Sequence, residues 1–520
     1  MQPLGVKTLC RLTQRSLRFG ALDPMLNAAR VAGFAKWGAG ISALVHASAL
    51  RWPNRTAVVD DHGSMSYRQL DRMADGLTNY LRSDGNGPVG LLCRNHRGFP
   101  LAQIAIERAG RDVVMLSTAL PAQQLRDIAD REALTLLIAD AEFLERIDQA
   151  GVSARVVPAD PDQIGTWSKP GPTTPPPRRS EMIVLTSGTT GPPKGARRSN
   201  RPPRISDASL LDAIPIRMND VTLIASPLFH AWGLAQCSFA LATGSTIVVH
   251  AKFDPNATLR AVAEHGVSVL AAVPLMLSRI LEETPPGNEL TSLRATLCSG
   301  NVLSATLAKN WIERFGPNLY NIYGSTETAV ASVATPKDLL AAPGTVGRPP
   351  RGVTVAILDD GDKPAASNQL GRVFTANSQQ FAGYTDGSNR ARRGRLMATG
   401  DLGYLDNKGR LFVDGRENDL IVTGGENVFP SLIEEVLEQH DSVLNAAVVG
   451  LPDAKYGQRV VAFVVANHGF DVDELDAWAR QNLAAFQRPR EYRSVDALPM
   501  TTTGKVIRHA LATLGLAEHI

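Results

Sequence analysis

The sequence predicts a large α/β domain followed by a small α+β domain, and three observations carry that expectation. The chain of 520 residues is too long for one ordinary hydrophobic core. Short apolar runs of strand character alternate with helical periodicity between residues 55 and 323. After residue 415 the pattern changes, and about 100 residues remain, enough for a second, smaller unit. The expected boundaries are a basic N-terminal segment at 1–50, the large domain at 51–415 and the small domain at 416–520.

Taken in order, the N-terminal segment is basic and apolar at once. Lys7, Arg11, Arg15 and Arg18 precede any acid, interleaved with Leu4, Val6, Leu9, Leu12, Leu17 and Phe19. Such a segment reads as an amphipathic helix docked on the main domain, as a membrane-surface contact or as a targeting segment. The apolar core of a secretory signal is missing, and no run approaches the roughly 18 apolar residues of a membrane span. The expected location is cytoplasmic, with peripheral membrane association as the open alternative.

The pattern next predicts a buried strand at 89–93 and a helix at 97–109. The proline-rich run at 168–177 is a connector, since it suits neither a helix nor a central strand. Strands follow at 182–186, 221–225, 246–249, 267–273 and 319–323. Residues 415–419 form the natural hinge. Beyond it, Ser431 and Glu434 have the spacing of a capping box and predict a helix start. Strands at 445–449 and 460–465 and a helix near 473–483 complete the small domain, and a tight turn at Thr503-Gly504 leads into a last helix from 506.

Composition narrows the function classes. Apolar residues make up 44 % and charged residues 20 %, the balance of a soluble globular chain. A net charge of +3 makes no case for nucleic acid. The four cysteines form no CxxC pair, which argues against a zinc site or a disulfide framework and fits a reducing compartment.

The decisive stretch is 186–195, Thr-Ser-Gly-Thr-Thr-Gly-Pro-Pro-Lys-Gly, directly after a predicted strand. The glycines Gly188 and Gly191 let backbone N–H groups converge into an anion nest. Thr186, Ser187, Thr189 and Thr190 add hydroxyls, and Lys194 adds a mobile cation. Every group can donate to a polyanion. The order is not that of a Walker A loop, so a nucleotide here is held by another architecture.

Further stretches follow in order: 227–233, Pro-Leu-Phe-His-Ala-Trp-Gly; 320–328, Tyr-Asn-Ile-Tyr-Gly-Ser-Thr-Glu-Thr; 399–404, Thr-Gly-Asp-Leu-Gly-Tyr; 414–425, Asp-Gly-Arg-Glu-Asn-Asp-Leu-Ile-Val-Thr-Gly-Gly; and 499–505, Pro-Met-Thr-Thr-Thr-Gly-Lys. With the loop at 186–195, these resemble the adenylate-forming superfamily of acyl-CoA synthetases, luciferases and peptide-synthetase adenylation domains, over roughly residues 50–515. The stretch 381–387, Phe-Ala-Gly-Tyr-Thr-Asp-Gly, resembles bacterial fatty-acyl-CoA ligases.

The resemblance implies a fold and a reaction: an adenylate-forming enzyme with a mobile C-terminal lid. It joins a carboxylic acid to coenzyme A by way of an acyl-adenylate, using ATP and Mg²⁺. By that resemblance Glu327 holds the metal and Thr326 contacts phosphate. Tyr323 stacks on adenine, and Ser299, Gly300 and Asn301 line the base. Asp401 accepts from the ribose hydroxyls, and Arg416 helps to hold ribose and phosphate. Lys505 is the expected catalytic residue, an ammonium between the acid and the α-phosphate. Gly424 and Gly425 match the loop lining the pantetheine tunnel, and His230 the residue between acyl pocket and thiol tunnel. Asn418 stands at the hinge, where the family has Asp or Lys.

The expected substrate is a medium- or long-chain fatty acid, placing the enzyme in fatty acid and lipid metabolism. The alternatives are an aryl or other carboxylic acid, or an acyl-AMP ligase that delivers to a carrier protein. A nucleotide-binding protein without catalysis is a further alternative, against which Lys194, Glu327, Asp401 and Lys505 count. Oligomeric state is open.

Overall fold

A computed structural model describes residues 23–517, apart from 39, 168, 170, 172, 177, 187–192, 200–209, 284–288 and 468–469. The basic segment before residue 23 and the loop residues Ser187, Gly188, Thr189, Thr190 and Gly191, expected to bind phosphate, therefore lie outside the described residues.

Most of the large domain is built on two sheets. One has eight strands in the order 329–334, 319–325, 295–298, 269–272, 221–224, 246–248, 56–60 and 63–66. The other has seven, in the order 383–384, 194–199, 181–186, 113–115, 89–92, 136–139 and 155–158. The inner pairs of both sheets are parallel, as expected for strands linked by helical crossovers. Between the sheets lies the helix Gly98–Ala109, buried at every position. A helix covered on all sides has no polar stripe to maintain. Val58 and Ile247 of one sheet and Val89, Leu91 and Val184 of the other share a single apolar cluster with Phe99, Ile104 and Ile106 of this helix. Ile41, Val45 and Ala49, from the helix Ile41–Arg51, belong to the same cluster.

A third sheet contains strands Thr354–Leu358, Gly371–Ala376, Leu396–Leu405 and Arg392–Arg393, with Leu411–Arg416 paired onto Leu396–Leu405. The small domain has its own five-stranded sheet, in which Val443–Asp453 and Gly457–Ala466 form a long antiparallel pair. Its apolar core is separate, with Ile433, Leu437, Val448, Ala462 and Leu475 at its centre.

The capping box expected at Ser431 and Glu434 does not form. The helix Pro430–Leu437 starts two residues earlier than an N-cap at Ser431 would set it, with Pro430 in its first turn, Phe429 at the N-cap and no side-chain cap. The Ser431 hydroxyl donates instead to the Asp414 carbonyl at 2.5 Å, and Glu434 pairs with Arg508. Proline pre-sets the first-turn φ, so the helix needs no capping serine. The last helix, expected from 506, begins at Arg508, because Val506 still bridges back to Met500. No helix among the described residues is long and apolar enough to cross a membrane.

Candidate active site

Strand ends from three sheets and one loop of the small domain converge on a cavity of about 1920 Å³. The hairpin 181–199 delivers the first cation. Thr186 lies opposite Lys194 in its register, and Lys194 Nζ reaches Asp386 Oδ2 at 2.9 Å and Ser388 Oγ at 3.1 Å. The strand ends at Thr186 and Lys194 thus face the segment 384–390.

The hairpin 319–334 delivers Glu327. Its register shifts between Tyr323 and Gly324. A Cβ on Gly324 would lie 2.1 Å from the Ala329 carbonyl oxygen, so the close approach of the two strands requires glycine. This accounts for the glycine of the Tyr-Gly-Ser-Thr-Glu stretch. Glu327 is 5 % exposed. Its Oε1 accepts from the Tyr384 hydroxyl at 2.6 Å and from Arg390 at 3.1 Å. Burial pushes the carboxyl up, but Tyr384 and Arg390 together outweigh it and hold Glu327 below its ordinary value. The site therefore keeps a buried, ionised carboxylate. Thr326 is half-buried beside it, with its carbonyl accepting from Arg198 at 3.3 Å.

Asp401 and Arg416 are cross-strand neighbours in the third sheet, which places Arg416 Nε 2.9 Å from Asp401 Oδ1. The Tyr323 hydroxyl donates to Oδ2 of the same carboxylate. Each carboxylate oxygen has two acceptor positions, so Asp401 keeps capacity for further donors. Ser299 and Gly300 follow the strand Ala295–Cys298 on the cavity wall, where the Ser299 hydroxyl donates to the Ile322 carbonyl at 2.6 Å.

The small domain closes this wall. The Asn301 amide donates to the Gly504 carbonyl at 3.0 Å, and His230 Nε2 lies 2.8 Å from the Thr502 hydroxyl. Gly504 has φ +74°, and a Cβ there would meet the Leu275 Cβ at 2.9 Å. Lys505 is tied into the turn through Thr501, whose hydroxyl accepts from the Lys505 N–H at 3.1 Å. Its side chain points into the field of Arg416, Asp401 and Glu327. Burial lowers the ammonium pKa and Arg416 adds to this, while Asp401 and Glu327 oppose it. His230 is held down at about 4, by burial first and by Lys505 second, so its ring is neutral.

The structure thus brings Lys194, His230, Ser299, Gly300, Asn301, Tyr323, Thr326, Glu327, Asp401, Arg416, Asn418 and Lys505 to one cavity. It leaves Gly424 and Gly425 outside it, in the exposed turn between Ile421–Thr423 and Glu426–Val428. Tyr384, Asp386, Arg390 and Arg198 were not legible as site residues. The only signal was the Phe381–Gly387 stretch, which carries Tyr384 and Asp386 but names no partner for them. Cys93, His96 and Asp140 bring possible ligand atoms within 4.8 Å of one another. His96 is already committed, accepting from the Gly98 N–H at Nδ1 and pairing with Asp140 at Nε2, 2.7 Å away. That arrangement pins the start of the helix Gly98–Ala109 rather than opening a metal site.

The family model for AMP-binding enzymes matches residues 45–385, and that for the AMP-binding enzyme C-terminal domain matches residues 432–505. A 2–succinylbenzoate–CoA ligase of Bacillus velezensis is 31 % identical over 90 % of this chain and 96 % of its own. A feruloyl-CoA synthase of an Amycolatopsis species is 29 % identical over 88 % of this chain and 95 % of its own. Among solved structures, the o-succinylbenzoate CoA synthetase of Bacillus subtilis, in complex with its acyl-adenylate intermediate, superposes with a TM-score of 0.81. It is 25 % identical and covers 90 % of this chain and 97 % of its own. The same synthetase has been solved with ATP and a magnesium ion, at a TM-score of 0.79 and 25 % identity over 90 % of this chain and 98 % of its own. With both halves matched in sequence and the whole architecture matched in space, the chain belongs to the AMP-binding enzyme family, within the adenylate-forming superfamily.

Proposed function

We propose that the chain is an ATP-dependent, AMP-forming acid–CoA ligase whose substrate is an aryl carboxylic acid. The observation that carries the reaction is the entry of Lys505, from the small domain, into the cavity that holds Glu327, Asp401 and Arg416 of the large domain. The aryl acid is supported by the relatives, which are named for 2-succinylbenzoate and ferulate. They favour it over the fatty-acid reading of the Phe381–Gly387 stretch. The cavity wall agrees, since Trp232 and Phe239 offer flat apolar surface.

In this reading Lys194 and the loop 187–191 hold the phosphates, Tyr323 stacks on adenine, and Ser299 to Asn301 line the base. Asp401 accepts from the ribose hydroxyls with its remaining lone pairs, and Arg416 holds ribose and phosphate. Thr326 contacts phosphate. Glu327 fits a magnesium ion, since it is a buried, ionised hard-oxygen donor on the cavity wall. Bound there with ATP, the ion would neutralise phosphate charge. Lys505 brings the attacking carboxylate and the α-phosphate together by offsetting their mutual repulsion, which is greatest in the transition state.

His230, neutral and against Phe229, forms a wall of the acyl pocket rather than an acid or base. For thioester formation, rotation of the small domain about Asn418 withdraws Lys505 and presents the turn Gly424-Gly425 to the thiol. The test is coenzyme A-dependent pyrophosphate release over a panel of aryl and fatty acids. The reading expects kcat/KM highest for an aryl acid. A fatty acid preferred by tenfold or more would overturn the substrate assignment while leaving the reaction intact.

A further inference from the structure

The helix Ala231–Ala242 presents Trp232, Ala235, Gln236 and Phe239 to the cavity. Their spacing of three, four and seven residues puts them on one face of the helix. That face packs into an apolar cluster, with Ile214, Ile216, Leu297 and Ile322 behind Trp232 and Phe239. Gln236 does not belong in such company. It is 8 % exposed, lines the cavity, and makes no hydrogen bond to any described residue. Its amide opens onto the cavity, and a bound acid that covers it without bonding it would leave it unpaired. Trp232, one turn earlier on the same face, is already engaged, its Nε1 donating to the Ala272 carbonyl at 3.1 Å.

We infer that Gln236 is the specificity-determining residue of the acyl pocket, and that it selects an aryl acid bearing a neutral hydrogen-bonding group, a ring hydroxyl or ketone, away from the reacting carboxylate. This rests on the acid–CoA ligase reading above and specifies its substrate. A primary amide offers one acceptor and two donors, so it can serve a hydroxyl or a carbonyl. A site built to bond a polar group discriminates strongly against the analogue that lacks it, because the amide is then left unpaired.

The experiment compares matched pairs of aryl acids, with and without a ring hydroxyl or ketone, by coenzyme A-dependent pyrophosphate release. The wild-type enzyme is expected to prefer the substituted acid by on the order of 100-fold in kcat/KM. In Gln236→Leu that ratio should fall to within about threefold, with kcat/KM for the unsubstituted acid rising. A merely structural defect would lower both acids together. Gln236→Met, unbranched and of similar length, serves if the leucine variant does not fold. A ratio unchanged in a variant that still turns over, or a wild type that prefers the unsubstituted acid, overturns the inference alone. Absence of pyrophosphate release with every acid overturns the ligase reading, and the inference with it.

Discussion

Replacing Lys505 by alanine separates the two half-reactions. In the arrangement described here the Lys505 ammonium makes no hydrogen bond to any described residue, although it lies in the field of Asp401, Glu327 and Arg416. Its removal therefore leaves no buried partner stranded, and the stability change should stay within about 0.5 kcal/mol. The chemistry is different. Loss of one preorganised charge that stabilises a transition state typically costs about 10²–10³-fold in rate, or about 3–4 kcal/mol. Adenylate formation, followed by ATP–pyrophosphate exchange with a turned-over acid, should fall by that amount. Conversion of supplied acyl-adenylate and coenzyme A to thioester should fall less than about fivefold, since the lysine has left by then. Equal losses in both half-reactions would refute the role, as would a large drop in Tm.

Other perturbations test the supports of the site. Gly504→Ala forces a left-handed φ and a contact with Leu275, a cost of about 1–2 kcal/mol. It should slow adenylate formation about tenfold with thioester formation less affected, and an equal effect on both would contradict the reading. Asp401→Ala removes the partner of Arg416 and Tyr323. The KM for ATP should rise about 10- to 100-fold, as for loss of a charged hydrogen bond, with the KM for the acid nearly unchanged. His230 has its pKa lowered to about 4 from 6.5, so the unfolded chain takes up this proton first on acidification. Stability is lost as pH falls from 6.5 to about 4, and His230 contributes nothing above that range. His230→Phe should therefore reduce the fall in Tm over this interval, and an identical fall in both proteins would disprove the shift.

Much of the fold was legible because local pattern and tertiary context agree. The strand expected at 89–93 is Val89–Leu92, buried at each position, and the helix expected at 97–109 is Gly98–Ala109. Periodicity could not reveal that this helix lies between two sheets, because a helix buried on all sides carries no amphipathic signature. The strand expected at 445–449 extends over Val443–Asp453, since pairing with Gly457–Ala466 continues beyond the apolar run. The capping box failed because Ser431 and Glu434 found tertiary partners in Asp414 and Arg508, which no local spacing reveals.

For the site, the motifs located Glu327, Asp401, Arg416 and Lys505, and the structure brings them together. What the motifs could not supply is the set of contacts that tune those residues. Tyr384 and Arg390 lie 57 and 63 positions from Glu327, and Asn301 lies 203 positions from Gly504. Such pairings arise only once the sheets of the large domain and the small domain have folded against one another. Gln236 was invisible for a different reason. In sequence it is a polar residue on a largely apolar helix, and only the assembled cavity shows its amide opening inward with no partner among the described residues.

On the proposed reading, one cavity forms an acyl-adenylate and then passes it to a thiol. The most direct measurement is a single turnover with ATP, magnesium and an aryl acid in the absence of coenzyme A, quenched and analysed by mass. About one equivalent of acyl-AMP should be held on the enzyme and converted to acyl-CoA and AMP when coenzyme A is added. Formation of ADP, or of AMP without any acyl-adenylate, would contradict the reading.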